Sequence, residues 1–203
     1  MIILAVWASL APAAPAARPA PQPAIHRRSE WCPEKLGDIP VDMPKQRIVV
    51  HHTAFPVTDK VKRLRGKKSW QAAIAHARQV QHLHRHIRGW QYAGYHYMID
   101  WEGRIFEGRP LDRLGAHVEN NNTGSIGVVL MGDFSKQTPT KKQLASLKGL
   151  LAWLRRFFDI PADKVHGHYR MKHTVCPGLY LDNVWDPDAP ALNSVQISPP
   201  SGE

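Results

Sequence analysis

The chain has 203 residues, 43% of them hydrophobic, and a formal net charge of +10 at neutral pH. This length and hydrophobic share suit one well-buried domain with tails rather than two domains. Two cysteines exclude a disulfide framework. The positive charge favours an anionic partner, which charge alone leaves open among a bacterial cell-wall polymer, an acidic membrane face and nucleic acid.

The two ends of the chain have compositions unlike the rest. Residues 1–17 join a short apolar core to small residues with Ala-x-Ala patterns, which is typical of a signal peptide, although no Lys or Arg precedes the core. An Ala/Pro-rich tail is the alternative. Residues 18–25 form a Pro-rich linker, and residues 186–203 a flexible tail. We therefore expect an exported protein with no integral membrane segment once the signal is removed.

The first strong strand signal is the β-branched run over residues 47–53, which ends in His51 and His52. Strand ends in α/β sheets commonly carry ligands. Successive strand residues face opposite sides of a sheet, so only one of the two histidines is a metal-ligand candidate and the other is structural. Residues 55–68 are predicted to be a basic, solvated loop.

A helix is predicted over residues 69–87, with Ser69 as its N-cap and a glycine stop after it. Its apolar face is predicted to hold Ala73, Ala77, Val80, Leu83, His84 and Ile87. His82 and His86 are four residues apart and could formally bind a metal, but an exposed polar helix face is the preferred interpretation.

Two short strands, at residues 94–100 and 104–107, are predicted to form a hairpin. Tyr95 opens the first strand and either reaches a cleft or packs with its hydroxyl at the surface. His117 lies in a polar loop at residues 115–124, before a buried strand at 125–131. Thr140 is predicted to cap a helix that runs to about Phe158. The buried face of that helix is predicted to hold Leu144, Leu147, Leu151 and Leu154.

The segment at residues 165–178 reads VHGHYRMKHTVCPG and combines three histidines with one of the two cysteines. Imidazole nitrogen and thiolate sulfur are ligands that zinc prefers. One cysteine does not make a zinc finger. Two ligands from this segment and one from IVVHHT would instead form a three-ligand site with an open position, the arrangement of catalytic zinc.

Several motifs occur in a defined order, namely HRRSEW, IVVHHTA, RGW, GYHYMID, EGR, GAH followed by SIGV, GDF and GHYRMKHTVCPG. In this order the chain resembles the zinc-dependent N-acetylmuramoyl-L-alanine amidases, and among them the peptidoglycan recognition proteins. The resemblance covers about residues 26–185.

The resemblance implies roles for particular residues. The zinc ligands fall on His51, His168 and Cys176, with His168 preferred to His166 because seven residues separate the family's histidine and cysteine. The catalytic tyrosine falls on Tyr95. Three further sets complete the implied site: a second catalytic position at Thr174, the groove residues His117 and Asn122, and a substrate contact at His52.

The resemblance also implies a fold and an activity. The fold is a single α/β domain whose central mixed β-sheet is flanked by α-helices. The activity is zinc-dependent hydrolysis of the amide bond between N-acetylmuramic acid and L-alanine, by a monomer that binds peptidoglycan or muropeptides and no nucleic acid. A non-catalytic peptidoglycan-binding protein is the alternative.

Two departures from the family pattern stand out. Val128 and Val129 occupy the stretch where some amidases carry a glutamate, so the general base is not assigned. The chain also lacks the cysteine pair of animal relatives, which favours a bacterial-type, exported version.

Overall fold

The computed structural model of the protein describes residues 21–185. The predicted signal segment, residues 18–20 of the predicted linker and the predicted tail lie outside these residues. Ile25, the last residue of that linker, already belongs to the first strand. The strands are β1 (Ile25–His26), β2 (Arg47–His52), β3 (Tyr97–Ile99), β4 (Ile105–Glu107), β5 (Ser125–Leu130) and β6 (Val165–Gly167). The α-helices are α1 (Arg28–Trp31), α2 (Asp59–Lys62), α3 (Gly66–His82), α4 (Lys141–Phe157) and α5 (Leu179–Trp185).

The six described strands form one mixed sheet in the order β1-β4-β3-β5-β2-β6. Only the β3–β4 pair is antiparallel; the other neighbours run parallel. Strands β2 and β5 are central; β5 is fully buried and β2 is buried after its first residue, as their near-continuous apolar sequences predict. The sheet and its flanking helices confirm the predicted single α/β domain.

Each face of the sheet packs against one long helix. On one face α4 contributes buried leucines to a core with strand residues such as Val50 and Val128. On the other face α3 contributes Ala73 and Ala77, which pack with residues such as Val129. Because side chains alternate along a strand, His51 faces the α3 side and His52 the α4 side.

The two long helices differ in how well their sequences predicted them. Thr140 caps α4 as expected, accepting a hydrogen bond from the Gln143 N–H while the Gln143 side chain reaches back to the Thr140 N–H. The cap predicted for α3 is wrong, because the helix begins at Gly66 after Arg65. Ser69 is instead buried, and its hydroxyl accepts a hydrogen bond from Arg104.

Two further predictions around α3 need correction. The segment predicted as a basic loop contains α2, which Thr58 caps, and the first turn of α3. At the other end α3 continues as a π-helical turn, Leu83–Ile87. That turn rotates the chain so that His84 is buried while Ile87, predicted to be buried, is 71% exposed.

The predicted hairpin is present, since β3 and β4 pair across a turn that contains Gly103 at a φ of 80°. Asp100 holds this turn by accepting hydrogen bonds from the backbone N–H groups of Glu102 and Arg104. Within residues 21–185, no helix has both the length and the apolar character that crossing a membrane requires.

Candidate active site

Three side chains with metal-binding atoms meet on the α3 side of the sheet. His51 comes from the end of β2, and His168 and Cys176 come from the segment that follows β6. Their ligand atoms all lie within 4.8 Å of one another, and His51 Nδ1 lies 3.6 Å from Cys176 Sγ. In the described part of the chain this is the group of histidine, cysteine and acidic residues that is close enough to hold a metal ion.

The cysteine is held by backbone contacts on both sides. The Cys176 N–H donates to Thr174 Oγ1 at 3.2 Å, and its carbonyl accepts from the Tyr169 N–H at 2.9 Å. The His52 N–H points at the sulfur, 3.5 Å from Sγ. Gly178 follows with a φ of 94°, and a Cβ there would lie 2.3 Å from the Phe134 carbonyl carbon. Gly178 thus lies too close to Phe134 for a larger residue, and the hydrogen bonds of Cys176 hold its backbone beside β2.

The structure distinguishes among the three histidines of this segment. His168 joins the cluster, and its Nε2 is buried without a hydrogen-bond partner among the described residues. His166 pairs with Val49 in the β-ladder and lines a separate surface cavity with Arg47 and Lys164. His173 is exposed.

Burial governs the protonation of the three clustered groups. It lowers the pKa of His51 well below its usual range and that of His168 to about 4. It raises the pKa of the Cys176 thiol to about 12, partly offset by the His52 N–H. Both imidazoles are therefore neutral at pH 7 and offer lone pairs, whereas the thiol needs a nearby cation to ionise. Two nitrogens and one sulfur, together with the buried Nε2 of His168, fit a zinc ion.

Tyr95 lies at the edge of the cluster, on the segment before β3. Its ring centroid is 5.2 Å from that of His51. Its hydroxyl makes no hydrogen bond to the part of the chain that the structure describes, which leaves the group available to a ligand. Burial, and next the charge of Cys176, raises the pKa of Tyr95, so the phenol stays protonated at neutral pH.

His117 also contacts the cluster, through one ring nitrogen. His117 Nδ1 lies 3.0 Å from His51 Nε2, and the side chain is buried. Burial, and next the charge of His96, lowers the pKa of His117 well below its usual range. The neutral His117 ring therefore contacts the site through His51 and is shielded from solvent.

Two predicted substrate residues make protein contacts instead of facing the cluster. Asn122 Oδ1 accepts hydrogen bonds from the backbone N–H groups of His117 and Val118, both at 2.8 Å. His52 Nδ1 accepts from the Phe134 N–H at 3.0 Å, on the opposite face of the sheet from His51. These bonds give Asn122 and His52 structural contacts, and the structure does not bring either side chain to the cluster.

The match to a family model follows this geometry closely. Residues 41–179, which include all three clustered residues, match the model described as N-acetylmuramoyl-L-alanine amidase (Amidase_2). The chain belongs to this amidase family.

Relatives of this amidase-family chain carry two kinds of name. It is 32% identical over 137 residues to peptidoglycan-recognition protein LB of Drosophila melanogaster, covering 66% of the chain and 55% of that protein. It is 28% identical over 166 residues to the N-acetylmuramoyl-L-alanine amidase of Sus scrofa, covering 80% of the chain and 27% of that protein. The match thus spans about half of one relative and about a quarter of the other.

A solved structure shares the fold of this family member. Drosophila PGRP-LB superposes with a TM-score of 0.69 at 28% identity, covering 84% of this chain and 98% of that one. A tyrosine-to-phenylalanine mutant of PGRP-LB has been solved in complex with tracheal cytotoxin.

Sequence reasoning missed the residues that surround His117 in this amidase-family site. Gly115 and Gly127 lie against its ring, and His96 packs edge-on to it at a centroid distance of 5.9 Å. The glycines of the GAH and SIG motifs were the available signal, since each marks a place where a side chain would not fit.

Proposed function

We propose that this protein hydrolyses the amide bond between N-acetylmuramic acid and the L-alanine of a peptidoglycan stem peptide, with zinc bound by His51, His168 and Cys176. The observation that carries the proposal is the convergence of these two imidazoles and one thiol beside the ring of Tyr95. Membership of the amidase family supports the same reaction.

His51, His168 and Cys176 would hold the zinc ion through three protein ligands, the number that is typical of catalytic zinc sites. Zinc in such a site acts as a Lewis acid and supplies a nucleophile at neutral pH by lowering the pKa of water to about 7. The ligands are neutral imidazoles and one sulfur that the His52 N–H helps to stabilise as a thiolate.

Tyr95 and Thr174 then act on the substrate. The Tyr95 phenol, protonated at neutral pH, donates a hydrogen bond to the carbonyl oxygen as negative charge develops there, which is worth about 10²–10³ in rate. Thr174 Oγ1 already accepts from the Cys176 N–H, so the Thr174 O–H can donate to water or to the substrate oxygen.

The substrate class follows from charge and from the relatives. A net charge of +10 suits a polymer whose stem peptides carry carboxylates. PGRP-LB, whose mutant has been solved with tracheal cytotoxin, supports muropeptides as ligands. We place the reaction outside the cytoplasm because residues 1–17 resemble a signal peptide.

The second candidate is a recognition protein that binds muropeptides without cleaving them. The naming of PGRP-LB and similar relatives as recognition proteins favours it. The complete ligand set of His51, His168 and Cys176 favours catalysis, because a protein that only binds muropeptides has no need of a three-ligand zinc site.

Mass spectrometry of muropeptides incubated with the protein tests the proposal. We expect release of intact stem peptides that begin at L-alanine, loss of release with a zinc chelator, and recovery on adding zinc. Fragments that stay uncut but bind the protein would instead support the recognition function. If the protein neither cleaved nor bound the muropeptides, both the proposed hydrolysis and the recognition function would be contradicted.

Cysteine substitution supplies a matched control for this experiment. Cys176→Ser should abolish zinc binding and cleavage because it removes the thiolate. Cys32→Ser should leave both unchanged, since Cys32 Sγ contacts Arg28 and Gln81 and does not belong to the cluster. Unchanged cleavage by Cys176→Ser would mean that the zinc ligands are wrongly assigned.

A further inference from the structure

The two ring nitrogens of His51 have different neighbours. Nδ1 faces Cys176 Sγ at 3.6 Å, and Nε2 lies 3.0 Å from His117 Nδ1. The two imidazole rings meet nearly edge-to-face, at 82° with centroids 5.0 Å apart. His51 therefore has one nitrogen directed at the metal-binding cluster and the other engaged by a second histidine.

This arrangement selects one tautomer when a metal is bound. A neutral imidazole that offers the Nδ1 lone pair to a cation carries its proton on Nε2. The Nε2–H of His51 then donates to His117 Nδ1, which must be unprotonated to accept it. Since both rings are buried, water does not replace this acceptor.

The acceptor itself has little freedom to move. A Cβ added to Gly115 or Gly127 would lie 2.6 Å from His117 Cδ2, so the ring occupies a slot that only glycine leaves open at both positions. The Oδ1 atom of Asn122 fixes the backbone of the loop by accepting the His117 N–H.

The neighbouring histidine is fixed as well. The Gly127 N–H donates to His96 Nδ1 at 2.9 Å, and His96 Nε2–H donates to the Arg113 carbonyl at 3.0 Å. Both bonds determine the tautomer of His96, whose ring packs edge-on against His117. The His117 ring is therefore enclosed by Gly115, Gly127 and a His96 side chain that two hydrogen bonds hold in place.

We propose that His117 is a positioning residue that fixes the tautomer and ring orientation of His51, and thereby the affinity of the site for zinc, rather than a groove residue that contacts substrate. The inference rests on the proposed zinc site. The Nδ1 atom of His117 already contacts His51, so the ring cannot also bind the stem peptide through that atom.

Two substitutions of His117 distinguish the effect of its hydrogen bond to His51 from the effect of its side-chain volume. His117→Leu fills the slot without an acceptor, whereas the Oδ1 of His117→Asn can reach the place of Nδ1. Loss of an outer-shell partner typically weakens metal binding about 10–100-fold. We expect that loss for the leucine variant and recovery to within about threefold of wild type for the asparagine variant.

The measurement is the zinc dissociation constant by competition with a fluorescent chelator, at constant pH and without substrate. His76→Leu is the control, because His76 is an equally buried histidine whose ring contacts Thr53 and not the cluster. It should lose stability and keep the wild-type zinc affinity. A His117→Leu protein that binds zinc as tightly as wild type would overturn the proposal.

A second measurement needs no variant and holds even if the leucine variant fails to fold. Long-range ¹H–¹⁵N correlation spectra of the zinc-loaded wild type should show His51 coordinated through Nδ1, with a slowly exchanging proton on Nε2. Coordination through Nε2 would overturn the proposal. Zinc binding and this spectrum without any amide cleavage would contradict the proposed hydrolysis and leave the inference standing, whereas a wild type that binds no zinc would overturn both.

Discussion

At the scale of single residues, the site combines groups that are each kept uncharged by burial. His51 and His168 have lowered pKa values, and Cys176 and Tyr95 have raised ones. The metal-free cluster thus holds no formal charge at pH 7. A zinc ion that displaces the thiol proton would introduce the charge on which the chemistry depends.

The Tyr95 hydroxyl is the group whose removal should separate catalysis from binding. Tyr95→Phe should lower kcat about 10²–10³-fold, because a hydrogen bond to the developing oxyanion is lost. Zinc content should not change, since the phenol is not a ligand. Steady-state cleavage of a muropeptide, together with metal analysis, measures both.

Tyr92 offers the control for that prediction. Its hydroxyl accepts from the Gly37 N–H at 2.7 Å and also bonds the Lys35 carbonyl, away from the cluster. Tyr92→Phe should cost about 1 kcal/mol of unfolding free energy and leave kcat within about twofold of wild type. Wild-type kcat in Tyr95→Phe would show that the phenol takes no part in the reaction.

At the scale of elements, strand β5 creates the space in which the site is built. Gly127 lies on the α3 side of this strand, opposite Val49 of β2, and the His117 ring occupies the volume that a side chain would need. The strand thus contributes to the site by lacking a side chain at one position, while its other residues pack the two cores.

A methyl group at this position should damage the site and the fold together. Gly127→Ala should lower the unfolding free energy by about 1–3 kcal/mol, because an overpacked core strains its neighbours, and should weaken zinc binding as the ring is displaced. Urea unfolding and chelator competition measure the two effects.

Gly149 in α4 is the matched alanine control. An added Cβ there meets no atom within 4 Å. Gly149→Ala should raise the unfolding free energy by about 0.5–1 kcal/mol, since alanine is the better helix former, with zinc affinity unchanged. If Gly127→Ala behaved like this control, the slot around His117 would be less rigid than its contacts indicate.

At the scale of the whole molecule, buried neutral histidines make stability depend on pH. Burial lowers the pKa of His76 and His84 to about 4 and that of His96 to about 3. In the unfolded chain these rings bind protons near pH 6.5. The unfolded state therefore binds more protons than the folded one below that pH, and stability falls as the pH falls.

The size of the effect follows from linkage. Protonation of each of these histidines in the unfolded chain should lower the unfolding free energy by about 2 kcal/mol as the pH falls from 6.5 to 5. Full stability is present above pH 6.5. Urea unfolding of the metal-free protein at pH 7, 6 and 5 measures how the unfolding free energy depends on pH. The slope should correspond to about three or more protons taken up on unfolding. His76→Leu should reduce that slope by about one proton. An unfolding free energy that is constant from pH 7 to 5 would contradict the buried, neutral state of these rings.

Much of the fold could be predicted from local patterns. The β-branched runs of β2 and β5, the capping box at Thr140 and the β3–β4 turn each specify an element through contacts between residues close in sequence. The start of α3 could not be predicted in this way, because Ser69 is occupied by Arg104, which lies 35 positions away.

The candidate site divides along the same line. The sequence by itself predicted the ligand types, and the alternation of side chains along a strand predicted that His51 and His52 face opposite sides of the sheet. The choice of His51 as the ligand came from the family resemblance. Only the tertiary structure decided that His117 contacts His51 across 66 positions, that Asn122 holds a loop, and that two glycines and His96 enclose the ring. Hydrogen bonds between remote residues depend on how strands and helices pack, and no local pattern in the chain encodes that packing.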